Sequence, residues 1–381
     1  MSEKKKTIAI FSAIYLPHIG GVENYTYHIA KELSRAGLRV LVITLSPNIE
    51  ALQKVYDPSG FEVLRFPCRA HMGGRYPIAK QPRSIRTYLL NEKIDFIAVN
   101  TRFYMLSLLA VSIAKAKGIV PIVIDHGSAH LTLGNPILDR ALAGFEHLIT
   151  AQLKRYPARY FGVSEKSSKW LGHFNIQSCG VLTNSIDADE YAQSATSRNY
   201  RTEFNIDQSE FIVVFVGRLI PEKGVTQLID TAKRETDMQF FIAGEGPLER
   251  DLKKVAPSNV HFLGKLKSVD IAALFLQGDI FCLPTRSEGF ATSLLEASAC
   301  GIASLITDVG GVKELILDDS YGTVLPDAEP DTIASALERL ANNPEKLASQ
   351  SKNVRLRTQE VFAWEKTSSA IIKACEDAQE S

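Results

Sequence analysis

Phe211-Ile212-Val213-Val214-Phe215-Val216, followed by Gly217-Arg218-Leu219-Ile220-Pro221-Glu222-Lys223-Gly224, is the stretch from which the fold is read. Six consecutive apolar residues, mostly β-branched or aromatic, describe a short strand buried on both faces, as in a parallel sheet. The run stops at a glycine and opens a loop with two cations and a proline before a helix. A strand, a charged glycine loop and a helix form the repeating unit of a doubly wound α/β domain.

Working outward, similar apolar runs lie downstream at Gln239–Ala243, His261–Leu263, Ile280–Leu283 and Ala303–Thr307. Upstream they lie at Thr7–Ala13, Arg39–Thr44, Phe61–Phe66, Phe96–Asn100, Ile119–Asp125 and Tyr160–Val163, with helical spacing over Glu23–Ala36 and Phe103–Lys117. Between the two series, 185–208 is polar and lacks a sustained apolar period, so it reads as a linker. The expected architecture is therefore α/β, with two doubly wound units in tandem: 1–190, and 191–359. A final amphipathic helix over about 360–381, with Phe362, Trp364, Ile371 and Ile372 as its apolar points, follows them.

The chain has 381 residues, more than one core organises, with 45% apolar and 23% charged residues, the balance of a folded protein. Forty-three basic side chains cancel forty-three acidic ones, so nucleic acid is not an expected partner. Residues 1–190 carry 23 basic against 15 acidic side chains, and the remainder 20 against 28, so the front is basic and the back acidic. Five scattered cysteines without CxxC spacing read as reduced thiols of a cytoplasmic protein. Lys4-Lys5-Lys6 and the apolar run after them imitate a secretory signal. Pro17 and Gly20-Gly21 fit a first strand and its turn instead. Phe103–Ala114 stops at Lys115, short of the roughly 20 residues of a membrane span.

In open parallel sheets the ligand crevice lies beyond the carboxyl ends of the strands. Gly20-Gly21 is either a tight turn or a place where backbone N–H groups approach a phosphate closely. It is neither a Walker loop nor GxGxxG. Arg218 and Lys223 are either a solvated pair or the holders of a diphosphate, one as a planar fork and the other as a mobile point charge. Glu288 and Glu296, one in a loop and the other inside the following helix, are expected roughly 10 Å apart, too far for a retaining glycosidase pair. His126, between Asp125 and Gly127, is either structural or turned to a sugar hydroxyl. Asp187-Ala188-Asp189 imitates a metal clamp but falls in the linker, and no His/Asp/Glu cluster shows ligand spacing, so no metal and no cofactor is expected. Arg65, Arg69, His71, Arg75, Lys80, Arg83 and Arg86, with Tyr76, Pro77 and Tyr88, form either a solvated loop or a docking patch. An anionic lipid surface would gain about 1 kcal/mol per basic residue.

Taken in order, these motifs resemble family 4 of the retaining glycosyltransferases of GT-B fold. The match runs through Gly20-Gly21-Val22-Glu23, Asp125-His126-Gly127, Asn184-Ser185-Ile186-Asp187, Gly217-Arg218 with Lys223-Gly224, and Gly244-Glu245-Gly246-Pro247. It continues with Glu288-Gly289-Phe290 through Glu296-Ala297 and Gly310-Gly311-Val312-Lys313-Glu314. The resemblance implies two Rossmann-like domains facing each other across a cleft, the second binding a nucleotide diphosphate sugar and the first an acceptor. By it, Arg218 and Lys223 hold the diphosphate, Glu288 the sugar hydroxyls and Glu296 the ribose. Leu266 lies near the base and His126 at the transferred sugar. Gly20, Gly21, Gly217, Gly244 and Gly246 line the donor loops, and Gly289, Phe290, Ala291 and Thr292 cap the donor end with their amides. The terminal helix crosses back onto the first domain.

Ala291, where the family often has glycine, bears on the sugar pocket, and Ala303 replaces a usual proline. The implied reaction is metal-independent front-face transfer with retention, from a UDP-sugar to a glycan or lipid-linked acceptor of cell-surface polysaccharide or glycolipid assembly. The implied location is cytoplasmic, peripheral on the inner membrane face, with Arg75, Lys80, Arg83 and Arg86 toward the lipid. A sugar-nucleotide epimerase of the same shape is the alternative.

Overall fold

The computed structural model describes residues 5–18, 20–71, 76–130 and 136–380. Arg75 lies outside the described residues. The chain divides into two compact units, one comprising Met1–Asn184 with Trp364–Ser381 and the other Ser185–Ala363.

Unit 1 runs β1 (Thr7–Ser12), α1 (Gly21–Arg35), β2 (Arg39–Ser46), β3 (Gln53–Tyr56), β4 (Glu62–His71), β5 (Tyr76–Ala79), α2 (Pro82–Asn91) and β6 (Phe96–Asn100). It continues with α3 (Met105–Lys117), β7 (Ile122–Asp125), α4 (Pro136–Leu153), β8 (Arg159–Gly162), α5 (Glu165–Leu171) and β9 (Ser178–Val181). The parallel strands stand in the order β4-β2-β1-β6-β7-β8-β9, with β3 and β5 antiparallel to β4. The order reverses between β1 and β6. All six residues of β1 are buried, and α1 turns Tyr25, Ile29, Ala30 and Leu33 inward at helical spacing. Edge strand β3 escapes the sequence reading because Gln53, Lys54, Val55 and Tyr56 are all exposed and carry no apolar alternation.

Unit 2 contains α6 (Ala188–Gln193), α7 (Tyr200–Glu203), β10 (Phe211–Val216), α8 (Val225–Ala232), β11 (Met238–Ala243), α9 (Glu249–Val255), β12 (Val260–Gly264) and α10 (Ser268–Phe275). Then come β13 (Ile280–Leu283), α11 (Thr292–Ala299), β14 (Ala303–Thr307), α12 (Val312–Leu315), β15 (Thr323–Leu325), α13 (Pro330–Ala341) and α14 (Pro344–Val361). Its sheet is parallel throughout, β12-β11-β10-β13-β14-β15, and reverses between β10 and β13. Both units are Rossmann-like.

Two expectations need correction. The segment read as a linker is folded: α6 packs on α10, α11 and α14, and Tyr200 of α7 is fully buried. Asp187 caps α6 by accepting from the Glu190 amide at 3.0 Å. Each helix is shorter than two turns, too short to show a period. The final amphipathic helix is α15 (Trp364–Gln379), which starts later than expected because Glu360 and Val361 close the preceding helix α14. Phe362 between them is buried and meets the Phe290 ring at 5.7 Å within unit 2, whereas Trp364 opens α15 against Tyr25 and His28 of α1 in unit 1. All five cysteines are free thiols, and only Cys179 is exposed.

Candidate active site

The loops after β10, β11, β13 and β14 meet at the carboxyl edge of unit 2. They are joined chiefly through backbone. The Gly217 amide donates to the Ala243 carbonyl at 3.0 Å, Leu219 to Glu245 at 2.9 Å, Gly244 to Gly264 at 2.8 Å and Arg286 to Glu222 at 2.7 Å. The Thr307 hydroxyl donates to the Thr285 carbonyl. Two glycines make this proximity possible. Gly224 has φ +69° and a Cβ there would lie 2.0 Å from the Pro284 carbonyl oxygen; Gly244 has φ +140° and its Cβ would lie 1.9 Å from that of Gly217. A side chain at either would separate neighbouring loops.

Lys223 and Glu288 come from the two loops flanking the strand-order reversal, and their side chains form an ion pair, 17% and 13% exposed. Sequence reading assigned them to different parts of a ligand; the fold also sets them against each other. Arg218 is exposed on the same loop as Lys223. Phe290 and Ala291 are buried, and Gly289 and Thr292 are half-buried beside them. Ala291 is the N-cap of α11 and has no side-chain oxygen to accept from the helix's first amides, which leaves that end suited to an anion. Glu296, inside α11, sits in the electrostatic reach of Tyr191 and Cys300. Burial pushes its carboxyl up to about 7. Gly246 follows β11, and Leu266 lies half-buried just past β12.

At the carboxyl edge of unit 1 backbone links, from the Thr101 amide to the Ile124 carbonyl at 2.8 Å and from Val163 to Asp125 at 3.0 Å, are supplemented by a chain of side chains. Asn100 ends β6; its Nδ2 donates to Thr26 Oγ1 at 2.7 Å, and Thr26 donates to Ser12 Oγ at 3.2 Å. With Nδ2 committed, Asn100 Oδ1 accepts from His126 Nε2 at 3.4 Å, which leaves His126 Nδ1 as an acceptor. Burial pushes the His126 imidazole down to about 3, so it is neutral at physiological pH. Its ring stands edge-on to Tyr25 at 4.8 Å. Gly20 precedes α1 in extended backbone, and Gly21 is exposed at its start.

Below His126 lies a charge cluster that sequence reading missed. Thr101 takes φ +72°, a left-handed conformation rare for a β-branched residue. Arg102, next in sequence, is 1% exposed and donates to Glu146 at 2.6 Å and to Thr150 Oγ1 at 3.0 Å. Its Nε lies 3.2 Å from Asp125 Oδ2, close enough for charge attraction but not aligned as a hydrogen bond. Burial pushes the Asp125 carboxyl up to about 6 although Arg102 pulls it down. Thr101-Arg102 follows a strand directly, so the rule that located the other motifs also reaches it. The spacing argument against a metal cluster meets a different finding: His130, His147 and His173 bring one ring nitrogen each within 4.8 Å of the others.

In the basic stretch, Lys80 and Arg83 are exposed and Arg86 is half-buried. Arg65 turns onto the Tyr15 ring at 5.7 Å. Among the described residues, no helix is long and apolar enough to cross a membrane.

Two family models match the chain and between them span most of it: Glycosyltransferase Family 4 over residues 19–190 and Glycosyl transferases group 1 over residues 196–357. A phosphatidylinositol N-acetylglucosaminyltransferase subunit of Arabidopsis thaliana is 24% identical, over 92% of this chain and 78% of that protein. A GDP-mannose-dependent alpha-mannosyltransferase of Corynebacterium glutamicum is 25% identical, over 87% and 79%. Among solved structures, Anabaena HepE in complex with UDP superposes with a TM-score of 0.75 at 17% identity, covering 98% of this chain and all of that one. That likeness carries the GT-B fold.

Proposed function

The chain belongs to the glycosyltransferases with a Family 4 first half and a group 1 second half, and from that premise we propose that it transfers a sugar, with retention, from a nucleotide diphosphate sugar held by unit 2. The observation that supports this most is the pairing of Lys223 with Glu288 across the strand-order reversal, with Arg218 exposed on the same loop. A diphosphate arriving there competes with Glu288 for the Lys223 ammonium. Arg218 adds a planar fork, and the α11 amides meet the anionic end. Glu288, displaced from the lysine, accepts from sugar hydroxyls.

As the bond from the anomeric carbon to the diphosphate oxygen breaks, Arg218 and Lys223 stabilise the charge developing on that oxygen without a metal; it takes the acceptor hydroxyl's proton while the acceptor oxygen bonds to the anomeric carbon on the same sugar face. His126, neutral, offers Nδ1 as an acceptor to a ligand hydroxyl at the edge of unit 1. UDP is the proposed donor nucleotide, in keeping with the UDP bound by Anabaena HepE, although the Corynebacterium relative is named for GDP-mannose. The acceptor is a glycan or lipid-linked saccharide, with Lys80, Arg83 and Arg86 toward an anionic surface.

The test is a panel of nucleotide sugars scored by thermal shift, which rises only for ligands of the native state, followed by acceptor-dependent release of the nucleotide. Arg218→Ala is expected to slow transfer about 10²-fold. Unchanged turnover, or nucleotide release indifferent to every acceptor, counts against the assignment.

A further inference from the structure

Unit 1 gathers three histidines from three elements. His130 lies in the loop after β7, His147 on α4, and His173 in the short turn Gly172–Phe174 after α5. His130 Nε2 is 3.1 Å from His173 Nε2, and His173 Nε2 is 3.2 Å from His147 Nε2. A ring nitrogen has one in-plane valence, either an N–H or a lone pair. His173 Nε2 therefore satisfies only one of its two close neighbours by a linear hydrogen bond. Protons alone leave the cluster frustrated.

The proton state of His130 sharpens this. Its Nδ1 faces Glu146 Oε2 at 2.7 Å, so in the neutral imidazole Nδ1 carries the hydrogen and Nε2 presents a lone pair to the other two rings. Glu146 is itself buried and held by Arg102 at 2.6 Å. A carboxylate behind a histidine's far nitrogen is the usual outer partner of a metal-bound imidazole, fixing both tautomer and orientation. The Trp170 ring stacks on His173 at 4.6 Å and 4°, and Phe174 lies 4.7 Å from the His147 ring, so two aromatics wall the rings in.

We propose that His130, His147 and His173 bind a divalent first-row transition ion, zinc by preference, through their Nε2 atoms, with Glu146 orienting His130. Nitrogens about 2.0–2.1 Å from a tetrahedral ion lie about 3.3–3.4 Å from one another, close to the two separations seen here. An all-imidazole set suits zinc, copper, nickel or cobalt and excludes magnesium and calcium. Three protein ligands leave a fourth position for water. Because the ligands stand 43 and 26 residues apart in sequence, the ion would tie the loop beyond His126 to α4 and to the end of α5. This site belongs to unit 1 and supplies no step of the transfer proposed above.

The test uses the full chain without a histidine tag, stripped with chelator and titrated with cobalt(II). One equivalent of cobalt should bind with the visible absorption of a tetrahedral nitrogen-ligated ion, and zinc should displace it. His147 and His173 are exposed, so His147→Ala and His173→Ala keep the fold, which circular dichroism of the metal-free variants checks. Each should weaken binding at least about 100-fold, and Glu146→Gln about 10- to 100-fold. Failure of the wild-type chain to bind a stoichiometric equivalent, or binding by both histidine variants as tight as the wild type, overturns the site.

Discussion

The two units share a strand order and differ in what they place at its reversal. Unit 2 joins its loops mostly backbone to backbone, through Gly217, Gly224 and Gly244, and sets the Lys223–Glu288 ion pair at its reversal. Unit 1 has backbone links as well, but at its reversal it adds side chain to side chain contacts through Ser12, Thr26, Asn100 and His126, over the buried Arg102 cluster. An edge lined by amides and cations reads charge, as a diphosphate requires. One lined by buried side chains reads shape and hydroxyl pattern, and any change in it disturbs the core. Substitutions at the unit 1 reversal should therefore cost stability first, and those at the unit 2 reversal should cost turnover first.

The largest effect expected is at Arg102. Arg102→Ala leaves Asp125 and Glu146 buried without their cation and should cost about 3–5 kcal/mol. Hydrogen exchange should show the loss in unit 1, with unit 2 amides still protected; a loss below about 1 kcal/mol would break the contrast. Next is Lys223→Ala, which should lower turnover about 10²-fold with a melting temperature close to the wild type. A large drop in melting temperature instead would make that pair structural.

Glu288→Gln sharpens the same point. It releases the Lys223 ammonium from its partner, so nucleotide diphosphate should bind a few-fold tighter while transfer slows. Calorimetry with UDP checks the first, and weaker binding would sink the idea that Glu288 and the diphosphate compete. The smallest effect is at Glu296. Its carboxyl holds its proton to about 7 in the folded chain and to about 4.5 ordinarily. Between those values the folded state binds more protons, so this group's contribution is full below about 4.5 and lost as pH rises through about 7. The melting-temperature gain of Glu296→Gln over wild type should grow from about pH 5 to about pH 8. A gain that is flat with pH would contradict the burial of this carboxyl.

Legibility in the sequence followed locality. Phe96–Asn100 and Ile280–Leu283 are strands in both readings, because a buried strand needs only a handful of adjacent apolar residues. β3 and the two short helices of 185–208 went unread, the first because all its side chains are exposed and the others because fewer than two turns carry no period. At the edges, Arg218, Lys223, Glu288 and His126 were legible because each sits in or just past a strand-end loop beside a glycine. Arg102 went unread although it also follows a strand, because an isolated arginine gives no sign that it will be buried.

Chain order and short-range pattern thus sufficed for two parallel α/β units and for the loops that furnish their edges, since those features depend on neighbours a few residues away. They could not say which loop residues face each other. Lys223 meets Glu288 across 65 residues at the strand-order reversal of unit 2, and His130 meets His173 across 43 where the segments after β7 and α5 pack together. Whether a charge there stays in water, pairs or is buried is settled by packing at long range, and packing leaves no local mark in sequence.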